Sequence, residues 1–158
     1  MKVKWMLKLV NNKEKICVKL IHCGNVNITN TNDQDQKNIF FMPRGFFPLG
    51  NALKENGFDI EIIHLDLECN NKITEILDFE TVDLIGFDCH WVNQSLVVMD
   101  TAKLIKEIKP EIFIFLGGFT SRLFAEEIVT NYFQVDAVLR GDGDIPIIEL
   151  CRAVQEKK

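Results

Sequence analysis

The chain has 158 residues, of which 47% are hydrophobic and 26% charged, with a formal net charge of -5 and a pI near 5.2. This size and composition are typical of one globular domain with a substantial core. The acidic balance argues against a nucleic-acid partner, because binding nucleic acid requires basic surface that displaces counterions. Since no apolar run approaches the length of about eighteen residues that a membrane helix needs, no membrane association is predicted.

Five cysteines, at positions 17, 23, 69, 89 and 151, show no C-x-x-C spacing. An odd number without that spacing is typical of reduced, buried thiols and argues against a disulfide framework or a zinc site. The first nine residues lack the apolar segment and small-residue cleavage site of a secretory signal. We therefore expect a cytoplasmic location.

The N-terminal part of the chain changes character twice. Residues 1–14 are basic and predict an extended lead-in, whereas residues 15–158 predict a single α/β domain. Residues 15–23 are apolar and β-branched and predict the first strand. Residues 24–38 are almost wholly polar, and a connection of this length within a compact domain is usually functional or disordered.

The rest of the chain alternates between strand and helix patterns. Further strands are predicted at residues 58–65, 82–87, 112–116 and 135–139. Helices are predicted at residues 49–56, 71–79, 95–109 and 123–132, and from Asp144 through Val154. Five strands alternating with helices predict a doubly wound parallel sheet of the flavodoxin-like (Rossmann-like) class, with strand order 2-1-3-4-5.

The fourth strand ends in a pair of glycines, Gly117 and Gly118. An apolar run without polar alternation is typical of a central parallel strand that is covered on both faces. Ligands of open parallel sheets bind beyond the carboxyl ends of the strands, and glycines allow close approach to the backbone. The pair is a candidate ligand-facing loop, and the simpler alternative is a tight strand-to-helix turn.

Four loops are expected at this edge of the sheet: Gly24 onward, 88–93, 117–121 and 140–144. They contain neither a Walker loop nor the dinucleotide fingerprint G-x-G-x-x-G. A receiver domain would need acidic residues at the end of the first strand, where this chain has His22. A flavin mononucleotide site remains an alternative. Its only support is the hydroxyl-rich composition of the polar segment at residues 24–38.

Three stretches carry a more specific pattern. Residues 48–58 form a Pro-Leu-Gly helix that leads to a glycine and a strand. Residues 84–87, 102–110 and 116–118 form a strand-helix-strand unit that ends in Gly-Gly, and residues 140–144 read Arg-Gly-Asp-Gly-Asp. Together they resemble the cobalamin-binding domain that precedes the catalytic barrel in many radical S-adenosylmethionine enzymes.

The resemblance implies that cobalamin lies over the carboxyl edge of the sheet and that its nucleotide tail descends into the domain. Glycines would make room for the ligand, and neighbouring apolar and hydroxyl side chains would contact the corrin. The candidate cofactor-binding residues are Gly24, Cys89, His90, Trp91, Gly117, Gly118, Phe119, Thr120, Ser121, Arg140 and Gly141. No residue is assigned a catalytic or metal-ligating role, and His22 and His64 are expected to be structural.

The chain departs from the wider family at two points. It lacks D-x-H-x-x-G, whose histidine ligates cobalt in classical corrinoid carriers, and it lacks the C-x-x-x-C-x-x-C motif that holds an iron-sulfur cluster. The cluster and S-adenosylmethionine would therefore belong to a catalytic domain, in cis or in trans, and a methyltransferase is one expectation. The alternative is a ligand-free interaction module of the same fold.

Overall fold

The computed structural model describes residues 15–24, 43–65, 67 and 73–157. The strands are β1 (Cys17–His22), β2 (Asp59–His64), β3 (Leu84–Asp88), β4 (Phe113–Gly117) and β5 (Ala137–Val138). The helices are α1 (Phe46–Glu55), α2 (Ile73–Ile76), α3 (Val92–Ile108), α4 (Phe119–Leu123), α5 (Ala125–Asn131) and α6 (Asp144–Lys157). The predicted lead-in, residues 1–14, and residues 25–38 of the polar segment lie outside the described residues.

The five strands form one parallel sheet in the order β2-β1-β3-β4-β5, which confirms the predicted fold class. The register brings Ile21 of β1 opposite Phe87 of β3, and Asp88 of β3 opposite Gly117 of β4. The carboxyl ends of the three central strands therefore meet at one edge, which we call the carboxyl rim. This edge carries the loops predicted to face a ligand.

The sheet has a hydrophobic layer on each face. Val98, Ala102 and Ile105 of α3 and Ile128 of α5 belong to one buried cluster. Phe46 and Leu53 of α1, with Ile147 and Cys151 of α6, belong to the other. All five residues of β3 are buried, which explains why its sequence shows no polar alternation.

Gly86 of β3 allows a large aromatic ring to lie across the strand. It pairs with Phe115 of β4, and a Cβ at Gly86 would fall well inside van der Waals contact with that ring. Phe115 is almost fully buried. The glycine and the phenylalanine thus form a small-large pair beneath the carboxyl rim.

The helix predicted at residues 123–132 is the least accurate of the sequence predictions. The structure has two short helices here, and α4 begins four residues earlier, at Phe119. The backbone N–H groups of Thr120 and Ser121 donate to the carbonyl oxygen of Cys89 at 3.0 and 3.3 Å. First-turn N–H groups have no partner inside their own helix, and a distant loop supplies one here.

Candidate cofactor site

Two adjoining cavities lie along the carboxyl rim. The glycine cavity has a volume of about 460 Å³ and is lined by residues that include Phe115, Gly117 and Gly141. The histidine cavity has a volume of about 490 Å³ and is lined by residues that include His22 and Gly24. Both are lined by Pro43, Gly45, Asp88, His90 and Phe119. We call the two together the rim trough, and each has the size of a small-molecule site, roughly 300–1,000 Å³.

The two consecutive glycines of the glycine cavity have different roles. A Cβ at Gly117 would have no heavy atom of the described residues within 4 Å, so this wall of the cavity is open because a side chain is missing. A Cβ at Gly118 would lie 2.8 Å from the backbone carbon and oxygen of Cys89. Gly118 also has φ 102°, a left-handed conformation that favours glycine. Gly117 leaves the cavity wall open, and Gly118 allows two loops to pack together.

The floor and the mouth of the glycine cavity differ in polarity. Phe46, Phe87 and Phe115 contribute buried aromatic side chains. Asp142 and Arg122 contribute exposed charged groups among the lining residues. The cavity therefore suits a ligand with an apolar body and polar substituents.

A buried polar pair lies at the histidine cavity. Nδ1 of His22 is 2.7 Å from Oδ2 of Asp88, and the two residues are only 6% and 5% exposed. Because an ionised carboxylate can only accept a hydrogen bond, Nδ1 of the imidazole is the donor in this pair, and Nε2 is the ring nitrogen that the pair leaves unused. The His64 ring meets the His22 ring edge-on, with ring centroids 4.6 Å apart.

The Nε2 atom of His22 is buried and has no hydrogen-bond partner among the described residues. A buried polar atom in this position costs about 1–3 kcal/mol of stability. Such an atom at a cavity calls for a structural or functional explanation. In His22, Nε2 is the ring nitrogen that does not take part in the pairing with Asp88.

Gln94 of α3 connects the elements around the histidine cavity. Its Nε2 donates to the carbonyl oxygen of Cys23 at 2.7 Å and reaches Oδ1 of Asp88 at 3.5 Å. Its Oε1 accepts the backbone N–H of His90 at 3.0 Å and that of Trp91 at 3.4 Å. The Gln94 amide thus fixes the loop that carries His90 and Trp91 to the end of β1.

The hydroxyl groups beyond Gly118 are used inside the protein. Thr120 Oγ1 donates to the carbonyl oxygen of His90 at 2.8 Å, and Ser121 Oγ donates to that of Gly118 at 3.0 Å. The backbone N–H of Phe119 donates to Nδ1 of His90 at 3.4 Å. The bonds from Thr120 and Phe119 attach the start of α4 to the loop that follows β3.

Cys89 is buried against this junction. Burial, with a smaller contribution from the adjacent Asp88 carboxylate, raises the pKa of its thiol to about 11. At neutral pH the side chain is therefore a protonated thiol, a weak metal ligand and a poor nucleophile.

Comparison with known proteins identifies the family. Residues 40–150 match the family described as "B12 binding domain". The chain belongs to that family. The resemblance inferred from the sequence is thereby confirmed, and the cofactor assigned to this B12 binding domain is cobalamin.

Two curated relatives match the B12 binding domain. Hopanoid C-3 methylase of Methylococcus capsulatus (strain ATCC 33009 / NCIMB 11132 / Bath) is 29% identical over 103 residues, which are 65% of this chain and 20% of the relative. Anaerobic magnesium-protoporphyrin IX monomethyl ester cyclase of Rubrivivax gelatinosus is 24% identical over 113 residues, 68% of this chain and 20% of the relative. The match thus spans a fifth of the length of each relative.

Solved structures share the fold. The radical S-adenosylmethionine methyltransferase TsrM of Kitasatospora setae, with tryptophan substrate and a SAM analog bound, has a TM-score of 0.64 and 19% identity over 90% of this chain. The same enzyme with cobalamin and a [4Fe-4S] cluster bound has a TM-score of 0.64 and 21% identity over 91%. This chain covers 26% and 25% of those chains, respectively. At these identities the likeness establishes the architecture.

The structure brings most of the predicted cofactor-binding residues to the rim trough. The predicted residues that line it are Gly24, His90, Trp91, Gly117, Gly118, Phe119 and Gly141. The predicted residues that are not among its lining residues are Cys89, Thr120, Ser121 and Arg140. The side chains of Thr120 and Ser121 instead hydrogen-bond to the backbone.

Sequence reasoning did not assign His22, Asp88 and Gln94 to the site. His22 is the last residue of β1, and Asp88 is the last residue of β3. Because the predicted strand order makes these strands neighbours, the sequence could have predicted that the two side chains lie close together. Gln94 gave no such signal, because a glutamine in the first turn of a helix is usually solvated.

The rim trough fits the cofactor of the family. Gly117 provides a wall without a side chain, and Phe46, Phe87 and Phe115 form an apolar floor. The His22 Nε2 atom is a nitrogen without a partner among the described residues.

Within the same residues, no group of three or more His, Cys, Asp or Glu side chains could hold a metal ion. In the part of the chain that the structure describes, no helix is long and apolar enough to cross a membrane.

Proposed function

We propose that this B12 binding domain holds cobalamin in the rim trough and presents it to a radical S-adenosylmethionine catalytic domain, in cis or in trans. The single observation that carries the binding site is Gly117, where the wall of a 460 Å³ cavity has open space in place of a side chain. The histidine cavity extends the same site toward β1.

The lining residues suit separate parts of the cofactor. A planar macrocycle needs an approach free of Cβ atoms, which Gly117 supplies at the carboxyl rim. The aromatic side chains of Trp91 and Phe119, which are 60% and 61% exposed, would pack against its edge. Bound there, cobalamin would supply a cobalt centre that can accept and release an alkyl group.

An exposed apolar surface around the trough supports a covering domain. Trp91, Phe119, Leu123 and Ile145 are large apolar residues, and each is at least 60% exposed. Trp91 and Phe119 line the trough, and Leu123 and Ile145 each follow a lining residue in the chain. Exposed apolar residues beside a ligand site are typical of protein interfaces. Because one relative is a methylase, the catalytic partner we propose is a methyltransferase.

The binding site is tested by retention of hydroxocobalamin. Wild-type protein is mixed with the cofactor and desalted, and the visible spectrum is recorded. We expect one corrin per chain for wild type and none for Gly117→Val, because the added side chain projects into the cavity. Ala153→Val, on the exposed face of α6, also adds methyl groups and should retain the cofactor.

Three other results would count against the proposal. Wild-type protein that loses the corrin on desalting would favour the ligand-free interaction module. A yellow protein after purification would favour a flavin. Full retention by folded Gly117→Val, checked by circular dichroism, would place the ligand elsewhere on the domain.

The partner is tested separately, with a protein that carries a C-x-x-x-C-x-x-C motif and is encoded in the same or a neighbouring reading frame. Leu123 and Ile145 belong to neither hydrophobic cluster of the core. Binding in a pull-down should be lost when both residues are changed to Asp. Equal binding by the double variant would remove the apolar surface from the proposed interface.

A further inference from the structure

We propose that His90 orients the cofactor by donating a hydrogen bond from Nε2 to the carbonyl oxygen of a primary amide at the edge of the corrin. This inference rests on the proposed function and assigns one polar contact within it. Three observations carry it: the position of His90 where the two cavities adjoin, the bonds that hold its backbone, and the hydrogen bond that its Nδ1 accepts.

His90 lies where the two halves of the rim trough meet. It belongs to the loop between β3 and α3, and it lines both the glycine cavity and the histidine cavity. Its side chain is exposed, whereas the preceding residue, Cys89, is buried. A ligand that occupies both cavities therefore meets the His90 side chain.

The backbone of His90 is held on both sides by side chains of neighbouring helices. Its N–H donates to Oε1 of Gln94 in α3 at 3.0 Å, and its carbonyl oxygen accepts Oγ1 of Thr120 in α4 at 2.8 Å. Binding to a mobile group costs conformational entropy, and a group that is already held loses less. The loop thus presents this exposed imidazole from a fixed backbone.

The hydrogen bond at Nδ1 determines which nitrogen of His90 can donate. Nδ1 accepts the backbone N–H of Phe119 at 3.4 Å. A neutral imidazole has one donor and one acceptor nitrogen. Because Nδ1 accepts, Nε2 carries the proton, and a protonated nitrogen has no lone pair for a metal. His90 therefore offers the ligand a hydrogen-bond donor at the distal side of its ring.

The matching group on the cofactor is an amide. The corrin carries primary amides around its edge, and their carbonyl oxygens are hydrogen-bond acceptors. The hydroxyl groups of Thr120 and Ser121, which the sequence predicted to contact the cofactor, donate to backbone carbonyls instead. The Thr120 hydroxyl holds His90 itself, so its contribution to binding is indirect.

The first experiment compares affinities for hydroxocobalamin by titration. His90→Leu removes the donor and should weaken binding by about tenfold, which corresponds to about 1.4 kcal/mol. His90→Gln keeps an N–H donor and should stay near the wild-type affinity. Asn93→Leu is the matched control, since Asn93 is exposed and is not among the residues that line either cavity. Equal affinities of wild type and His90→Leu would overturn the inference.

The second experiment changes the acceptor on the cofactor. The probes are cobalamins in which one primary amide, a different one in each probe, is hydrolysed to a carboxylate. A hydrogen bond to an ionised group is roughly twice as strong as a neutral one. For the probe altered at the contacted amide, His90→Leu should therefore lose more affinity than it loses for cobalamin. An equal loss for every probe would mean that His90 acts by packing alone, against the inference.

Nuclear magnetic resonance of the wild-type protein tests the donor directly. With histidine rings labelled with nitrogen-15, His90 is assigned from the signals that disappear in His90→Gln. We expect a proton on Nε2 and none on Nδ1 in the free protein. With diamagnetic hydroxocobalamin bound, the same proton should remain and exchange with water more slowly. A proton on Nδ1, or loss of the Nε2 proton in the complex, contradicts the assignment.

Retention of the corrin separates this inference from the proposed function. Wild-type protein that does not bind hydroxocobalamin contradicts both. Wild-type protein that binds it, together with His90→Leu of the same affinity, leaves the binding site in the rim trough and contradicts the His90 hydrogen bond alone.

Discussion

The two cavities of the rim trough are built in opposite ways. The histidine cavity, at the ends of β1 and β3, is organised by the hydrogen bonds of His22, Asp88 and Gln94. The glycine cavity, at the ends of β4 and β5, is organised by missing side chains at Gly117 and Gly141. One region is specified by what its residues bind, and the other by the space they leave.

The difference predicts how each region responds to substitution. Loss of a buried hydrogen-bonding group leaves its former partners unsatisfied, so that stability and geometry suffer together. Addition of a side chain at an open glycine changes the cavity and hardly affects the core. Ligand binding and folding should therefore be separable at Gly117 and linked at Gln94.

The largest effect is expected at Gly118, which lines the glycine cavity and packs against Cys89 in the loop after β3. Gly118→Ala should lower the free energy of unfolding by more than about 3 kcal/mol, because backbone strain of about 1–3 kcal/mol adds to a clash with Cys89. Urea denaturation measures it.

Gly57→Ala is the matched control for Gly118→Ala. Gly57 also has a positive φ, of 87°, but a Cβ there would meet no heavy atom of the described residues within 4 Å. Gly57→Ala should lose only the contribution from backbone strain, about 1–3 kcal/mol. Equal losses at the two glycines would mean that contact with Cys89 contributes nothing.

A smaller effect is expected at Gln94 of the histidine cavity. Gln94→Leu should cost about 1–3 kcal/mol of stability, because the carbonyl of Cys23 and the N–H of His90 lose their partner. Corrin retention should weaken by roughly tenfold, which corresponds to about 1.4 kcal/mol. Titration with hydroxocobalamin measures the retention.

Asn93→Leu is the control for Gln94→Leu. Asn93 is exposed on the adjacent position of α3, and its substitution should change stability by less than about 0.5 kcal/mol. Similar corrin affinities for the two variants would show that the loop after β3 holds its position without the Gln94 amide.

The smallest effect concerns Cys89, between the two regions. Its folded pKa of about 11 exceeds that of a cysteine in an unfolded chain, about 8.5. Between these two pKa values the Cys89 thiol binds a proton more often in the folded protein than in the unfolded chain. The free energy of unfolding therefore includes a contribution from Cys89 that is complete below about pH 8.5 and declines as the pH rises toward 11. Iodoacetamide at pH 8 should label Cys89 only after unfolding, and rapid labelling of the native protein would contradict its burial.

The sequence was sufficient for the architecture because hydrophobic periodicity and loop order are local signals. The strand order followed from five strand patterns that alternate with helix patterns, and the candidate loop at Gly117 followed from the apolar run that ends in two glycines. Cys89 and His90 show the limit of local reasoning: they are adjacent in the same predicted loop, yet Cys89 is buried and His90 exposed. Which of two neighbours faces a ligand depends on the packing of α4 against the end of β3.

The predicted start of the helix in this region, residue 123, was wrong for the same physical reason. Its first N–H groups are satisfied by the carbonyl of Cys89, a residue that lies about thirty positions earlier in the chain. The pairing of His22 with Asp88 is equally non-local, across 66 positions. Such contacts emerge only when the strands are assembled.

The contact between Gly118 and Cys89 has a consequence for the kinetics of capture. The loops after β3 and β4 are joined backbone to backbone, so their conformational freedom is lost when the chain folds and before any ligand arrives. These two loops therefore have little further entropy to lose on association. The rate of association should then be set by diffusion and orientation, while the lifetime of the complex reflects the contacts in the two cavities.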